Sequence, residues 1–256
     1  MLRFVFVLVF YFYISLYLII RMSVYLRTKK DDFVFRYGYA RKAVKFVAAK
    51  SRATVRCFGE ENLPEKDGYV LLANHQGKFD VLAVVSSHPK PISVIAKKDK
   101  TKYPLVRQAM EMLDSTRIDT TDLRSVALAF REVEKNIEKG RNYLIFPEGK
   151  FGKNHNHLIE FQTGCIDIVK KTKCPIVPVA LYDTYKVYNV NSLKKAECSV
   201  TYLSPIYYDE YKNLTKREIA EIVKCRIESA IEEIEAGGTP FGGFADGNCA
   251  EEATAS

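Results

Sequence analysis

Asn74-His75-Gln76-Gly77-Lys78-Phe79-Asp80 is the most informative segment of this chain, and Phe146-Pro147-Glu148-Gly149 follows it about seventy residues later. Each segment comes directly after an apolar run of the kind that forms a buried strand, Tyr69 to Ala73 and Tyr143 to Phe146. In α/β sheets, ligands and chemistry collect where strands end and loops begin. The two segments therefore predict a functional site at one edge of a sheet.

The residue types in these segments indicate acid–base chemistry. His75 and Asp80 lie five residues apart across a glycine-containing turn, so they can meet if a helix begins near Phe79. A histidine held by a carboxylate is a general base. Glu148 could accept a hydrogen bond from a substrate hydroxyl or anchor a basic side chain, and Gly149 lets the backbone approach a ligand closely. The sequence has no G-x-S-x-G motif, so a serine-nucleophile hydrolase has no support.

The order of the motifs resembles that of the glycerolipid acyltransferases, most closely the 1-acyl-glycerol-3-phosphate acyltransferases. The resemblance runs from about Val55 to Leu181 and includes Ile95-Ala96-Lys97-Lys98 and the apolar run Ile176 to Leu181. It implies an enzyme that moves a fatty acyl group from acyl carrier protein or coenzyme A to the free hydroxyl of a lysophospholipid, giving phosphatidic acid. His75 would be the base, Asp80 would orient it, and no cofactor or metal would be needed.

The sequence departs from the family pattern where relatives bind phosphate. The third family block continues with Thr-Arg-Ser, whereas this chain continues with Lys150-Phe151-Gly152-Lys153, and Thr120 follows Ile118-Asp119 where the second block has arginine. We therefore expect other cations to bind the acceptor, with Lys153 as a further candidate. The predicted substrate-binding residues are Lys78, Arg117, Arg124, Glu148, Gly149 and Lys150. The acceptor could also be another lysophospholipid or glycerol-3-phosphate itself.

The positive charge of the chain is confined to one segment. The formal net charge is +8, but residues 21–56 hold eleven Lys and Arg against Asp31 and Asp32. Arg3 adds one charge, so residues 57–256 total about −2. This distribution argues against a nucleic-acid partner and favours an anionic membrane surface.

The N-terminal segment predicts membrane association. Phe4 to Ile20 carries no charge and is near the lower length limit for a spanning helix, so it could span the bilayer or enter one leaflet. The basic residues after it would keep the rest of the chain in the cytoplasm, which predicts a location at the cell membrane. Residues 33–50 are typical of a basic amphipathic helix at a membrane surface, the alternative being an ordinary helix packed on the domain.

Alternating strand-like and helix-like runs predict an α/β fold with a mostly parallel sheet, covered by helices on both faces and preceded by a membrane-associated helical segment. The predicted strands are 54–58, 69–73, 92–96, 143–146, 176–181 and 198–203. The predicted helices of this body are 123–137, 161–171 and 216–234. We divide the chain into an N-terminal anchor (1–52), an acyltransferase domain (53–236) and a disordered tail (237–256).

Two other possibilities concern the class of site. His155 and His157 could join His75 and Asp80 as metal ligands, which would indicate a metal-dependent hydrolase, although exposed loop histidines are more common. The chain could also be a non-catalytic protein that binds lipid at a membrane surface.

The six cysteines are scattered, so reduced thiols are expected.

Overall fold

The computed structural model describes residues 2–98, 104–150 and 154–238. Seven strands form one sheet in the order β1-β7-β6-β2-β5-β3-β4. Neighbouring strands are parallel except for the antiparallel pair β6 and β7. The strands are β1 (Ala53–Phe58), β2 (Val70–Ala73), β3 (Ile92–Lys97), β4 (Thr116–Ile118), β5 (Asn142–Ile145), β6 (Ile176–Tyr182) and β7 (Ala196–Tyr202).

Helices cover both faces of this sheet. They are α1 (Leu2–Phe10), α2 (Phe12–Thr28), α3 (Phe33–Lys50), α4 (Asp80–Ser87), α5 (Pro104–Met112), α6 (Leu123–Glu138), α7 (Ile166–Thr172), α8 (Tyr185–Tyr188), α9 (Tyr208–Tyr211) and α10 (Lys216–Glu235). One core contains α3, α4 and Met112 of α5, and the other contains α6, α7 and α10. Side chains of β2 alternate between the cores, as a strand buried on both faces requires: Leu71 faces the first and Leu72 the second.

The α/β fold with a mostly parallel sheet is confirmed, and all six predicted strands are present with bounds that differ by at most two residues. The edge strand β4 was not predicted, because three residues are too few to show an alternating pattern. The predicted helix 161–171 is a 3₁₀ turn, Thr163–Cys165, followed by α7. The proposed tail lies outside the described residues from position 239 onward.

The N-terminal helices pack against the α/β body. Residues 33–50 form α3 as predicted, and one face of this helix is buried on the domain, including Arg36, which forms an ion pair with Asp114. The exposed side carries Lys42 and Lys45. The packing of α3 therefore matches the alternative of a helix docked on the domain, with basic residues left at the surface.

The predicted anchor is not one continuous helix, because α1 ends at Phe10 and α2 begins at Phe12. Within the described part of the chain, no helix combines the length and the apolarity needed to cross a bilayer. Arg3 is buried and donates hydrogen bonds to three main-chain carbonyls at and after α8, those of Lys186, Val187 and Lys194. These bonds fix α1 to the segment between β6 and β7.

The cysteines only partly follow the expectation of reduced thiols. Cys57, Cys165, Cys174 and Cys198 are free. Cys225, on α10, is disulfide-bonded, so the expectation is wrong for this residue. Separation along the sequence did not exclude a bridge, because the folded backbone and not the spacing sets which sulfurs meet.

Candidate active site

Strand register brings the two sequence motifs together. Strands β2 and β5 are parallel neighbours, with Leu72 opposite Ile145. Three residues further on, the same offset sets His75 beside Glu148, and the Glu148 carboxylate accepts a hydrogen bond from the His75 backbone N–H at 2.9 Å. The site therefore forms at the carboxyl ends of two adjacent parallel strands, as the sequence predicted.

His75 and Asp80 form the predicted pair. The distance from His75 Nδ1 to Asp80 Oδ2 is 2.8 Å, and Asp80 is fully buried whereas the His75 side chain is 17% exposed. Because an ionised carboxylate only accepts hydrogen bonds, this contact places the proton of a neutral imidazole on Nδ1. Nε2 is then the nitrogen that can take a proton from a substrate.

The local backbone explains why the pair forms. Asp80 is the first residue of α4, where a negative charge is favoured by the helix dipole. Its Oδ2 also accepts hydrogen bonds from the backbone N–H groups of Gln76, at 2.6 Å, and Gly77, at 2.8 Å. These bonds fold the turn around the carboxylate, so His75 and Asp80 are held by the same loop that separates them in sequence.

Phe146 covers one face of the imidazole. Its ring stacks on that of His75, with centroids 4.2 Å apart and an interplanar angle of 24°. An aromatic neighbour in this position restricts the orientation of the imidazole and excludes water from that side. The sequence motif contained Phe146, but nothing in its spacing indicated that it would contact His75.

Glu148 lies beneath His75 and is only 4% exposed. Burial raises the pKa of its carboxyl to about 7, although hydrogen bonds from the backbone N–H groups of His75 and Ile159 act to lower it. The nearby charge of Asp80 raises this pKa further. Glu148 therefore supports the backbone of His75, and its predicted contact with substrate stays a prediction.

The segment after β6 holds the His75–Asp80 loop from the other side. Thr184 Oγ1 lies 2.7 Å from Asp80 Oδ1, and the backbone N–H of Thr184 donates to Gln76 Oε1. The Asn189 amide lies so close to Gly77 that a Cβ on this glycine would meet it at 2.7 to 2.9 Å. Sequence reasoning missed Thr184 and Asn189. The available signal was the position of Asp183 and Thr184 within three residues of the end of the predicted strand 176–181.

Comparison with known proteins identifies the family. The family model described as Acyltransferase matches residues 54–182, just over half of the 256 residues, and this range contains His75, Asp80 and Glu148. The chain belongs to the acyltransferase family. The segment that contains Thr184 begins just beyond the matched range.

Individual relatives carry a more specific name. The chain is 31% identical over 157 residues to 1-acyl-sn-glycerol-3-phosphate acyltransferase of Cocos nucifera, a match that covers 60% of this chain and 51% of that one. It is 26% identical over 181 residues to the enzyme of the same name from Borreliella burgdorferi, covering 69% and 71%. The chain thus spans about half the length of the coconut relative.

The fold has a solved counterpart. The crystal structure of PlsC from Thermotoga maritima, titled a 1-acyl-sn-glycerophosphate (LPA) acyltransferase, superposes with a TM-score of 0.73 at 21% sequence identity. The superposition covers 92% of this chain and 94% of that chain. This likeness shows that the two chains share their architecture along almost their whole length.

The four predicted cations of this acyltransferase lie on different structural elements. Arg117 lies on the edge strand β4, with β5 and β3 between it and β2, and it donates to Glu111 at 2.8 Å. Arg124 is exposed in the first turn of α6, and Lys150 is exposed directly after Gly149. Lys78 is exposed within the His75–Asp80 loop. Lys78 and Lys150 therefore lie on the motif loops themselves, and a role for any of the four stays a prediction.

Gly149 is conformationally constrained. Its φ is +67°, a region that favours glycine, and the Gln162 side chain lies about 3.1 Å from where a Cβ would be. Both facts explain why the turn after β5 needs glycine without reference to a ligand. Phe151 and Lys153, which the sequence comparison singled out, lie outside the described residues.

The histidines of the loop before α7 have other surroundings. His155 stacks on Tyr185, with ring centroids 4.3 Å apart, and His157 is exposed. Across residues 2–98, 104–150 and 154–238, no three His, Cys, Asp or Glu side chains are grouped so that they could hold a metal ion.

Proposed function

We propose that this acyltransferase moves a fatty acyl group from a thioester, on acyl carrier protein or coenzyme A, to the free hydroxyl of 1-acyl-glycerol-3-phosphate. The observation that carries the proposal is the 2.8 Å contact between His75 Nδ1 and buried Asp80, in a loop of a chain that belongs to the acyltransferase family. The names of the relatives support the acceptor.

The mechanism follows from the protonation state of the pair. His75 Nε2 takes the proton of the acceptor hydroxyl as the hydroxyl oxygen attacks the thioester carbonyl carbon. The tetrahedral intermediate then collapses, the C–S bond breaks, and the imidazolium returns its proton to the leaving sulfur. Asp80 stabilises the imidazolium between these steps and keeps the ring in the required tautomer.

Activity measurements on the purified protein test this proposal. Detergent-solubilised protein is assayed with both thioester donors against a panel of lysophospholipids and glycerol-3-phosphate. We expect His75→Ala to lower kcat about 10²- to 10⁴-fold, and Asp80→Asn to lose much of the activity, with circular dichroism unchanged. His157→Ala, which changes an exposed loop histidine, is expected to retain the wild-type rate.

The same assay separates the alternatives. Turnover of His75→Ala near the wild-type rate would refute the mechanism. Transfer to an acceptor without a phosphate monoester would move the function to another lysophospholipid. Binding of lipid without transfer from either donor would support a non-catalytic membrane-surface protein.

We also propose that the chain acts at the cell membrane, with its catalytic domain facing the cytoplasm. The outer sides of α1 and α2 support this, because they expose large apolar side chains, and the basic segment follows directly. These exposed residues are Leu2, Val5, Val9, Phe10, Phe12, Tyr13, Ile14, Leu16, Tyr17, Ile20 and Val24. Exposed Arg27, Lys29 and Lys30 continue the surface. The proposal requires binding to anionic vesicles that weakens when exposed apolar residues are made polar.

A further inference from the structure

The buried hydroxyl of Thr184 is the closest contact of Asp80 outside the His75–Asp80 loop. Thr184 and Asp80 are both fully buried, and 104 residues separate them in sequence. Thr184 Oγ1 lies 2.7 Å from Asp80 Oδ1 and 2.8 Å from Gln76 Oε1. Both neighbours are oxygens, whereas a hydroxyl has one proton to donate. The orientation of the Gln76 amide decides which oxygen receives it.

Two contacts fix the orientation of the Gln76 amide. Its Nε2 lies 2.7 Å from the carbonyl oxygen of Leu181, which can only accept a hydrogen bond. Its Oε1 lies 2.9 Å from the backbone N–H of Thr184, which can only donate. Oε1 is therefore an acceptor with one bond already made. An ionised carboxylate is the stronger acceptor, so the Thr184 proton points to Asp80.

With this bond, both oxygens of Asp80 are held. Oδ2 accepts from His75 Nδ1 and from two backbone N–H groups, while Oδ1 accepts from Thr184. Hydrogen bonds to both oxygens of a carboxylate restrain its rotation about the terminal torsion. Because the imidazole is oriented by the same carboxylate, the Thr184 hydroxyl fixes the position of the base indirectly.

We propose that Thr184 is a positioning residue of acyl transfer: its hydroxyl holds the Asp80 carboxylate in the orientation that aligns His75. The inference rests on the proposed function of the pair. Thr184 does not need to touch substrate, so its removal should lower kcat and leave the KM of donor and acceptor nearly unchanged.

Isosteric substitution tests the inference. Thr184→Val keeps the shape but places a methyl group against Asp80 Oδ1, and we expect kcat to fall about 10- to 100-fold, with both KM values within about twofold. Thr184→Ser keeps the hydroxyl and is expected to retain most of kcat. Thr201→Val is the matched control, since Thr201 is also fully buried and its hydroxyl has no hydrogen-bond partner among the described residues. It is expected to leave kcat unchanged.

A second readout reports the pair without turnover. In protein labelled with ¹⁵N-histidine, the His75 signals are assigned by their absence in His75→Ala. We expect the Nδ1–H proton of His75 to give a low-field signal in wild type and in Thr184→Ser. In Thr184→Val we expect this signal to disappear, because the proton exchanges with water. Should Thr184→Val fail to fold by circular dichroism, Thr184→Ala is compared with Thr184→Ser in the same way.

The outcomes distinguish this inference from the proposed function. A Thr184→Val enzyme with kcat within twofold of wild type and an unchanged His75 signal overturns the inference. A rise in KM with unchanged kcat also overturns it, because it would assign Thr184 to substrate binding. If wild-type protein acylates no acceptor, the proposed function fails, and the His75 signal alone then decides whether Thr184 holds the pair.

Discussion

Replacement of Glu148 by glutamine gives a quantitative test of the site's electrostatics. The folded protein raises the pKa of this carboxyl from 4.5 to about 7, with burial as the main cause. Between these two pH values the folded chain holds a proton that the unfolded chain has lost, so stability falls as pH rises through the window. A pKa shift of this size lowers the free energy of unfolding by about 3 kcal/mol between a pH below 4.5 and a pH above 7.

Glutamine does not titrate, so the substitution removes this dependence. Its side-chain oxygen can still accept the hydrogen bond from His75 N–H, which keeps the local geometry. Relative to wild type, we expect Glu148→Gln to gain about 3 kcal/mol in free energy of unfolding as pH rises from about 4 to about 8. All other titrating groups are shared, so they cancel in the difference between the two proteins.

Urea unfolding at a series of pH values measures this difference. The chain has no tryptophan, so far-UV circular dichroism of the detergent-solubilised protein is the signal. Glu197→Gln is the control, since Glu197 is 63% exposed in a surface ion pair with Arg56, and its profile is expected to follow wild type within about 0.5 kcal/mol. Parallel curves for Glu148→Gln and wild type from pH 4.5 to 8 would refute the assignment of this pKa.

Two further substitutions test the loop and the proposed membrane surface. Gly77→Ala is expected to destabilise the protein by about 1–3 kcal/mol, because the new Cβ meets the Asn189 amide, and adding Asn189→Ala is expected to restore more than half of the loss; additive unfolding energies would contradict the contact. Phe10→Asn with Tyr13→Asn, at positions 71% and 84% exposed, is expected to weaken binding to anionic vesicles about tenfold or more without loss of stability. Leu123→Asn, at an 84% exposed position on α6, is the control, and equal weakening by the control would refute the assigned surface.

The local sequence was sufficient to predict that His75 and Asp80 form a pair. Five residues and a glycine turn confine both side chains to one loop, so their meeting depends on local geometry alone. The parallel sheet was also predictable, because its strands are apolar runs separated by helical patterns. The positions of the predicted cations were not, since Arg117 lies on a three-residue edge strand that has no recognisable pattern of its own.

Contacts between distant segments depend on strand order, which periodicity does not encode. Glu148 meets His75 because β5 lies beside β2, and Thr184 meets Asp80 because β6 lies on the other side of β2. An apolar run indicates a strand, but it does not say which strand lies next to it. A polar residue within three positions of each strand end was therefore the available signal for both contacts.

The order β6-β2-β5 assigns a separate task to each strand end. The end of β2 carries His75 and Asp80, the end of β5 supports the backbone of His75 through Glu148, and the end of β6 holds the free oxygen of Asp80 through Thr184. Glu148 contacts His75 whereas Thr184 contacts Asp80, so loss of each contact is expected to disturb the site in a different way. Loss of the Glu148 contact would displace the base itself, whereas loss of the Thr184 contact would leave the base in place with a misaligned partner. In the proposed mechanism, the sheet contributes by fixing both ends of one hydrogen bond, between His75 Nδ1 and Asp80 Oδ2.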